Sequence, residues 1–142
     1  MCVIDIKFVG NEGLKAPVRA TVGAAGLDLI ALDWSREGNL ITYHTGMAVE
    51  VPEGHVGLLF PRSSITKYDL VLANSVGVID SDYRGELIVK FRLTAEKDAH
   101  IYSLGDRIAQ LVILPCLMGN ATMVESLSET ERGGGNFGST GT

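Results

Sequence analysis

Apolar and polar residues alternate with a period of two through much of this chain, and that pattern limits it to a fold built from strands. Between residues 86 and 94 every second side chain is apolar: Leu87, Val89, Phe91 and Leu93. Residues 3–9 and 47–51 alternate in the same way, and 55–60 form another short apolar run. Short sequences rich in Gly, Asn and Asp separate these stretches, as expected of turns. Many short strands at this spacing predict an all-β barrel or sandwich.

The composition predicts one folded domain. The chain has 142 residues, of which 46% are hydrophobic and 20% charged, so it contains enough apolar material for a core. Its net charge of −5 argues against a general nucleic-acid binder. No apolar run reaches the roughly 18 residues of a membrane span, and the N-terminus lacks the apolar core of a signal peptide. Cys2 and Cys116 have no metal-ligand spacing, so we expect free thiols and a cytoplasmic protein.

Two stretches depart from simple alternation. Residues 63–70 begin with two good N-cap residues, Ser63 and Ser64, and predict one short helix of two turns at most. Residues 108–114 are apolar on both faces apart from Gln110. They predict a strand that is buried on both faces, in a subunit interface as well as in the core.

The C-terminus is rich in glycine and predicts a separate functional segment. We divide the chain into a β-barrel domain at 1–131 and a flexible C-terminal lid of the same domain at 132–142. Three side chains in the lid suit phosphate binding: Arg132, Ser139 and Thr140. Phe137 has a flat face on which a base could stack. A lid that closes over a nucleotide and a disordered terminus both fit this composition.

Residues 74–87 predict a β-hairpin with its turn at Ser81 and Asp82. Asp80 directly follows apolar residues, where partial desolvation would make its carboxylate a better general base. Asp80 and Asp82 fit equally well as ordinary turn formers.

Three further polar sites stand beside predicted strands. Arg62 with Ser63 and Ser64 would meet the exposed N–H groups of the predicted helix and form an anion site, unless the serines only cap and Arg62 is solvated. Gln110 lies among apolar residues and needs a partner, either backbone or a ligand phosphate. Asp28 stands in an apolar strand, as a buried acceptor or as a helper for a hydrated metal.

Other polar residues fit structural roles. We expect Asp106 and Arg107 to form a structural pair at the mouth of a strand. Three histidines show no metal-ligand spacing and are expected to be structural or solvated: His44, His55 and His100.

Five segments in order along the chain resemble the motifs of the trimeric deoxyuridine triphosphatases, or dUTPases. They are AGLDL (25–29), PRSS (61–64), GVIDSDYRGEL (77–87), GDRIAQL (105–111) and RGGGNFGSTG (132–141). Two departures stand out: many relatives have Gly at the position of Ser64, and Gly is usual at that of Asn136. The Ser-Ser pair also occurs in the related dCTP deaminases. A dCTP deaminase of the same fold, or a catalytically silent nucleotide-sensing protein, is therefore the alternative.

The resemblance implies a distorted, jelly-roll-like β-barrel that assembles as a homotrimer with active sites at subunit interfaces. It implies Mg²⁺-assisted hydrolysis of dUTP to dUMP and pyrophosphate, which keeps uracil out of DNA and supplies dUMP. Neither nucleic acid nor membrane is expected as a partner.

The resemblance also implies site residues. Asp80 would activate the attacking water, Gln110 would hold phosphate or that water, and Asp28 would contact Mg²⁺ through water. Tyr83 would pack beneath the deoxyribose and leave no room for a 2′-hydroxyl. The substrate-binding residues implied are Arg62, Ser63, Ser64, Asn74, Gly77, Val78, Ile79, Tyr83, Arg132, Phe137, Gly138, Ser139 and Thr140.

Overall fold

The computed structural model describes residues 4–135, which fold into two antiparallel β-sheets. The strands are β1 (Lys7–Gly10), β2 (Leu27–Ile30), β3 (Asp33–Glu37), β4 (Leu40–Glu50), β5 (His55–Pro61), β6 (Leu70–Leu72), β7 (Gly77–Ile79), β8 (Glu86–Leu93) and β9 (Arg107–Pro115). One 3-10 helix, Ser63–Lys67, is the only helix within the described residues. The predicted all-β fold class is confirmed.

The core lies between the inward faces of the two sheets. One sheet has the order β1-β4-β8-β6, with β3 also paired to β4, and the other has the order β2-β9-β5-β7. Buried side chains alternate along the whole of β4, as the period-two pattern requires of a half-buried strand. Tyr43 on β4 meets Phe91 on β8 and Tyr102 edge to face, with ring centroids 5.9 and 6.2 Å apart.

The prediction for β8 is confirmed, and β4 is longer than predicted. Leu87, Val89 and Phe91 are buried on the inner face of β8. The first half of β4 was missed because its inner face includes Tyr43 and Thr45, which carry polar groups. Both groups are satisfied inside the core, since the Thr45 hydroxyl donates to the Leu87 carbonyl oxygen at 2.7 Å and that of Tyr43 donates to the Tyr102 carbonyl oxygen at 2.9 Å.

The predicted β-hairpin at 74–87 is wrong. The turn exists, with the Tyr83 N–H donating to the Asp80 carbonyl oxygen at 3.1 Å, but its two strands belong to different sheets. Strand β7 pairs with β5, whereas β8 already has β4 on one side and β6 on the other. Because both edges of β8 are occupied, the turn carries the chain from one sheet to the other.

The predicted helix at 63–70 is shorter than expected and of another type. It is a five-residue 3-10 helix without a side-chain cap, too short to present a helix N-terminus to an anion. Leu70 instead begins β6, where it pairs with Leu93 and is 5% exposed. Strand pairing and burial therefore outweigh the local helix signal.

The expected double burial of β9 holds for its first half. Ile108, Ala109 and Leu111 are buried, but Leu114 is 43% exposed. Residues 117–134 are exposed, and they include Leu117 at 99% and four other large apolar side chains. This run of exposed apolar groups is more than scattered surface residues account for.

The fold bears on the expectations that the chain has no membrane span and carries free thiols. Residues 4–135 include no helix that combines the length and the apolar character needed to cross a membrane. Cys116 carries a free thiol, and Cys2 lies outside the described residues.

Candidate active site

Strand register brings three of the sequence motifs together. Asp28 on β2 lies opposite Gln110 on β9, and Gln110 lies opposite Phe60 on β5. Residues directly opposite each other in a sheet point to the same face. Arg62 follows Phe60 by two positions and thus shares its side of the chain. Three neighbouring strands therefore place Asp28, Arg62 and Gln110 at one corner of the sheet.

Asp28 holds two arginines at this corner. Its Oδ1 accepts from the Arg62 Nε at 2.9 Å, and its Oδ2 accepts from the Arg107 Nη1 at 3.1 Å. The side chain of Asp28 is only 11% exposed. We call Asp28, Arg62 and Arg107 the arginine corner. One carboxylate between two guanidinium groups leaves a net positive charge, and guanidinium groups suit phosphate oxygens.

The roles of Arg107 and Asp106 differ from the prediction. Asp106 was expected to pair with Arg107, but its Oδ2 accepts from the Ser103 N–H at 2.8 Å. That contact closes the turn before β9 and leaves the Arg107 guanidinium directed at Asp28. The expected structural pair is therefore wrong, and Arg107 belongs to the candidate site.

Gln110 and the two serines lie beside the arginine corner. The Gln110 amide nitrogen donates to the Pro61 carbonyl oxygen at 3.1 Å, so backbone supplies the partner that the sequence required. Ser63 is exposed and Ser64 is half-buried. Both lie in the 3-10 helix directly after Arg62.

The segment expected to recognise a base lines a cavity of about 310 Å³. Asn74 and residues 77–79 form one wall, and residues 88–90 of β8 form part of the other. Ser75 takes a positive φ of 61°, an uncommon backbone state for a residue with a side chain. The cavity lies between the two sheets, since β7 belongs to one and β8 to the other.

Asp80 and Tyr83 lie on the turn that follows β7. Asp80 is exposed, so residues of its own chain do not desolvate it as the sequence argument expected. Tyr83 is 41% exposed, and its hydroxyl donates to the Glu86 carbonyl oxygen at 2.9 Å. Its ring folds back over Gly85, where an added Cβ would lie 2.6 Å from the ring carbon Cζ.

Asp80 lies far from the arginine corner within one chain. Ile79 pairs with Gly57 on β5, so Asp80 lies beside the start of β5, whereas Arg62 follows its end. At roughly 3.3 Å per residue, the positions of Asp80 and Arg62 are about 20 Å apart along the strand. Among the described residues, no hydrogen bond or ion pair joins Asp80 or Tyr83 to the corner.

Most of the glycine-rich lid falls outside the described residues. Arg132 is exposed, and its Nε donates to the Gly135 carbonyl oxygen at 3.3 Å. Phe137, Gly138, Ser139 and Thr140 lie beyond residue 135, and their expected contacts with substrate stay predictions.

The three histidines make local contacts, as expected. His44 Nδ1 is 3.0 Å from a Glu86 carboxylate oxygen, and the ring nitrogens of His55 and His100 contact backbone carbonyl oxygens. Within residues 4–135 there is no cluster of three His, Cys, Asp or Glu side chains able to hold a metal.

Sequence reasoning missed two residues of this site, Arg107 and Gly26. Gly26 is buried against Gln110. Both stand inside quoted motifs, next to residues that had been selected, so the motif strings carried the signal. Their roles depend on register between β2 and β9, which the sequence alone does not determine.

Comparison with known proteins gives one family. The model of the dUTPase family matches residues 12–141. The chain is 47% identical to the deoxyuridine 5′-triphosphate nucleotidohydrolase of Desulfitobacterium hafniense, over 97% of this chain and 95% of the relative. It is 41% identical to that of Methylobacillus flagellatus, over 97% and 96%.

Solved structures agree with the sequence match. The dUTPase of Staphylococcus bacteriophage 80alpha with dUpNHpp aligns with a TM-score of 0.82 and 28% identity, covering 99% of this chain and 100% of the other. A mutant dUTPase from phage phi11 of S. aureus, described for its coordination of a structural Mg(II) ion, aligns with a TM-score of 0.72 and 25% identity, covering 87% and 98%.

Proposed function

The chain belongs to the dUTPase family and hydrolyses dUTP, and we propose that Asp80 and the arginine corner act together on one triphosphate to give dUMP and pyrophosphate. The observation that carries this proposal is the arginine corner itself. Two guanidinium groups held by one carboxylate form a positive, positioned site for an anion of high charge.

The residues around the arginine corner would bind the phosphates. Arg62 would contact phosphate oxygens, with Asp28 fixing the direction of its guanidinium. The hydroxyls of Ser63 and Ser64 follow on the same turn and would donate to the same anion. Gln110 donates one amide hydrogen to the Pro61 carbonyl oxygen, and its second amide hydrogen would be available to a phosphate oxygen or to the attacking water.

Asp80 would orient the attacking water and take its proton. The carboxylate is exposed in a single chain, so it is accessible to water. A carboxylate positioned against the reacting water is a general base of the kind that contributes about 10²–10⁴-fold to rate.

The cavity between β7 and β8 would receive the nucleoside. Its volume of about 310 Å³ lies at the lower end of the range for small-molecule sites. Backbone groups of Asn74, Gly77, Val78 and Ile79 would read the uracil edge, and Tyr83 would pack beneath the deoxyribose.

The donor set fits a metal that arrives on the triphosphate. Mg²⁺ keeps several waters and binds substrate phosphates more readily than an all-protein cage, and the described residues form no such cage. Asp28 would hold the metal's water shell. Bound Mg²⁺ would supply neutralisation of phosphate charge.

The separation of Asp80 from the arginine corner supports a site shared between subunits. Over about 20 Å of strand, the two cannot meet one triphosphate within a single chain. We propose a homotrimer, as the resemblance implies, in which Asp80 of one copy faces the corner of another. The exposed Leu114 and Leu117 would be covered in that assembly.

The C-terminal lid would complete each site. Residues 1–131 form the catalytic body in this proposal, and residues 132–142 close over the bound nucleotide. Phe137 would stack on the base, and the phosphates would meet Arg132, Gly138, Ser139 and Thr140.

A panel of deoxynucleoside triphosphates with Mg²⁺ tests the chemistry. Pyrophosphate should form from dUTP and only weakly from the others, and release of ammonia from dCTP would reveal a deaminase instead. Asp80→Asn should keep fold and nucleotide binding while turnover falls about 10²–10⁴-fold. Asp82→Asn, which alters an exposed carboxylate of the same turn, is the matched control and should stay active.

Mixed assemblies test the shared site. Asp80→Asn and Arg62→Gln chains should each be inactive alone, but co-expression should restore part of the activity, since some sites then combine two intact residues. Light scattering should report a trimer. An active monomer across micromolar concentrations, or no recovery in mixed assemblies that do form, would refute the shared site.

A further inference from the structure

The side chain of Glu86 crosses from β8 to an irregular stretch of β4. Its Oε1 accepts from the Gly46 N–H at 2.7 Å, and its Oε2 is 3.0 Å from the His44 Nδ1. Burial alone would raise the pKa of the Glu86 carboxyl, but the contacts with His44 and with the Gly46 N–H lower it below its ordinary value. The carboxylate is therefore charged at neutral pH and uses both of its oxygens on β4.

The stretch of β4 that Glu86 contacts is a β-bulge. Ala48 pairs with Glu86, and the next ladder pair joins His44 to Ile88. Three residues of β4 therefore stand opposite one residue of β8. Gly46, the middle one of the three, takes a positive φ of 66°, the left-handed state that favours glycine. A bulge leaves backbone groups without their ladder partners, and the Glu86 carboxylate satisfies the Gly46 N–H.

Glu86 also carries the acceptor for the Tyr83 hydroxyl, which donates to the Glu86 carbonyl oxygen at 2.9 Å. Backbone pairing holds this start of β8 weakly. In the described part of the chain, Ala48 is the only ladder partner of Glu86, and β6 reaches only positions 91–93 of β8. The Glu86 side chain therefore supplies a second attachment for the carbonyl group that Tyr83 uses.

We propose that Glu86 is a positioning residue for sugar selection: its side chain, anchored on the β4 bulge, fixes the carbonyl oxygen that holds the Tyr83 ring in place. This inference rests on the proposed packing of Tyr83 beneath the deoxyribose. A ring that is held in one position leaves no room for a 2′-hydroxyl, whereas a ring that is free to shift admits it. Small displacements in an active site have large effects on rate, so the anchor should matter for selectivity although Glu86 acts only through Tyr83.

The ratio of kcat/KM for dUTP to kcat/KM for UTP is the informative measurement. A merely structural defect reduces the amount of folded enzyme and lowers both values by the same factor, so the ratio holds. A displaced Tyr83 ring lowers the value for dUTP and raises that for UTP, so the ratio falls. Loss of stability and loss of positioning therefore give different results in the same assay.

Glu86→Ala should lower this ratio about three- to tenfold, the equivalent of one net hydrogen bond. Glu86→Asp should lower it too, because a side chain one methylene shorter no longer reaches the Gly46 N–H, and it replaces Glu86→Ala if that variant does not fold. Glu86→Gln should restore the ratio, since the amide oxygen accepts from Gly46 and the amide nitrogen donates to the Nδ1 of a neutral His44. Glu50→Ala is the matched control: it removes an exposed β4 carboxylate that pairs with Lys7 and should keep the parent ratio.

A double variant with Tyr83→Ala separates this inference from the function on which it rests. Tyr83→Ala alone should lower the ratio, and adding Glu86→Ala should lower it no further. An unchanged ratio in Tyr83→Ala would remove the sugar role of Tyr83, and the Glu86 inference with it. A lowered ratio in Tyr83→Ala beside an unchanged ratio in Glu86→Ala and Glu86→Asp would overturn the inference alone. A further fall in the double variant would overturn it too, since Glu86 would then act by another route.

Discussion

Gly26 lies so close to the Gln110 side chain that there is no room for a Cβ atom at position 26. A Cβ built on Gly26 would stand 2.6 Å from the Gln110 Oε1 and 2.9 Å from its Cβ, distances that real side chains do not tolerate. The absence of a side chain at position 26 therefore lets the Gln110 amide turn toward the Pro61 carbonyl oxygen. Gly26 acts on the site through Gln110.

Gly26→Ala should displace the Gln110 side chain and lower kcat/KM for dUTP by about 10²-fold, since small misplacements in an active site can cost that much. Overpacking should also lower the free energy of unfolding by about 1–3 kcal/mol. Gly23→Ala is the control, because an added Cβ there meets nothing within 4 Å. Equal kcat/KM in the two variants would contradict the role assigned to Gly26.

Gly85→Ala should weaken the discrimination between dUTP and UTP. The added methyl would collide with the Tyr83 ring. The Tyr83 hydroxyl would then lose its hydrogen bond to the Glu86 carbonyl oxygen. A displaced ring would no longer pack beneath the sugar, so room would open for a 2′-hydroxyl. The ratio of kcat/KM for dUTP to that for UTP should fall about tenfold or more.

Tyr83→Ala should lower that ratio in the same way, whereas the Gly23→Ala protein should keep it. If Gly85→Ala lowers kcat/KM for both nucleotides equally, Gly85 supports the turn and not the selection of the sugar.

The sequence was most informative where one face of a strand meets the core. The alternation in β8 determined which of its residues are buried, and the run in β9 identified a strand with few polar interruptions. Both patterns follow directly from the period of a pleated strand. Long-range pairing was not accessible in the same way. The stretch at 74–87 satisfies every local rule for a hairpin, yet β8 already has two partners.

The same contrast applies to the candidate site: the sequence indicated which residues need partners, but not which partners they have. Asp28 and Gln110 could be selected because polar residues in apolar strands need partners, and Arg62 because it precedes a predicted helix start that would suit an anion. The sequence does not determine which partners these residues find. Arg107, for example, follows Asp106 in the sequence, but in the fold its guanidinium pairs with Asp28. Exposure of Asp80 depends likewise on which chains surround it, and local sequence does not encode that.

Alkaline pH should destabilise the fold through Tyr43. Burial raises the pKa of Tyr43 from 10.0 to about 12, so the unfolded chain releases this proton at lower pH than the folded chain does. The free energy of unfolding should therefore hold below pH 10 and fall as the pH rises toward 12, by about 3 kcal/mol at most from this residue. Urea unfolding at pH 8 and pH 11.5 measures the loss.

Tyr43→Phe should be less stable than the parent at pH 8, since a buried hydrogen bond to Tyr102 is lost, but its decline toward pH 11.5 should be shallower. Tyr83→Phe alters an exposed tyrosine and should follow the parent curve. Parallel curves for the parent and Tyr43→Phe would show that other groups cause the alkaline transition.

Deleting Arg132 to Thr142 should leave a stable protein with little catalysis. Among these eleven residues Phe137 is the only large apolar side chain, so the segment can add little to the core. The Arg132 Nε donates within its own turn, to the Gly135 carbonyl oxygen. Closure of the lid orders a glycine-rich stretch at a cost in conformational entropy, so we expect it to depend on contacts that a bound triphosphate provides.

Two measurements on the truncated chain decide the role of the lid: thermal unfolding without ligand, and turnover of dUTP with Mg²⁺. The expected pair is an unchanged melting temperature and turnover reduced by orders of magnitude, with Phe137→Ala showing a smaller loss of turnover at equal stability. A sharply lower melting temperature would make the segment part of the folded body, because only residues that pack in the absence of ligand can stabilise the free protein. Unchanged stability together with unchanged turnover would mean that the segment neither packs nor closes, and the resemblance of residues 132–141 to a dUTPase motif would then carry no function.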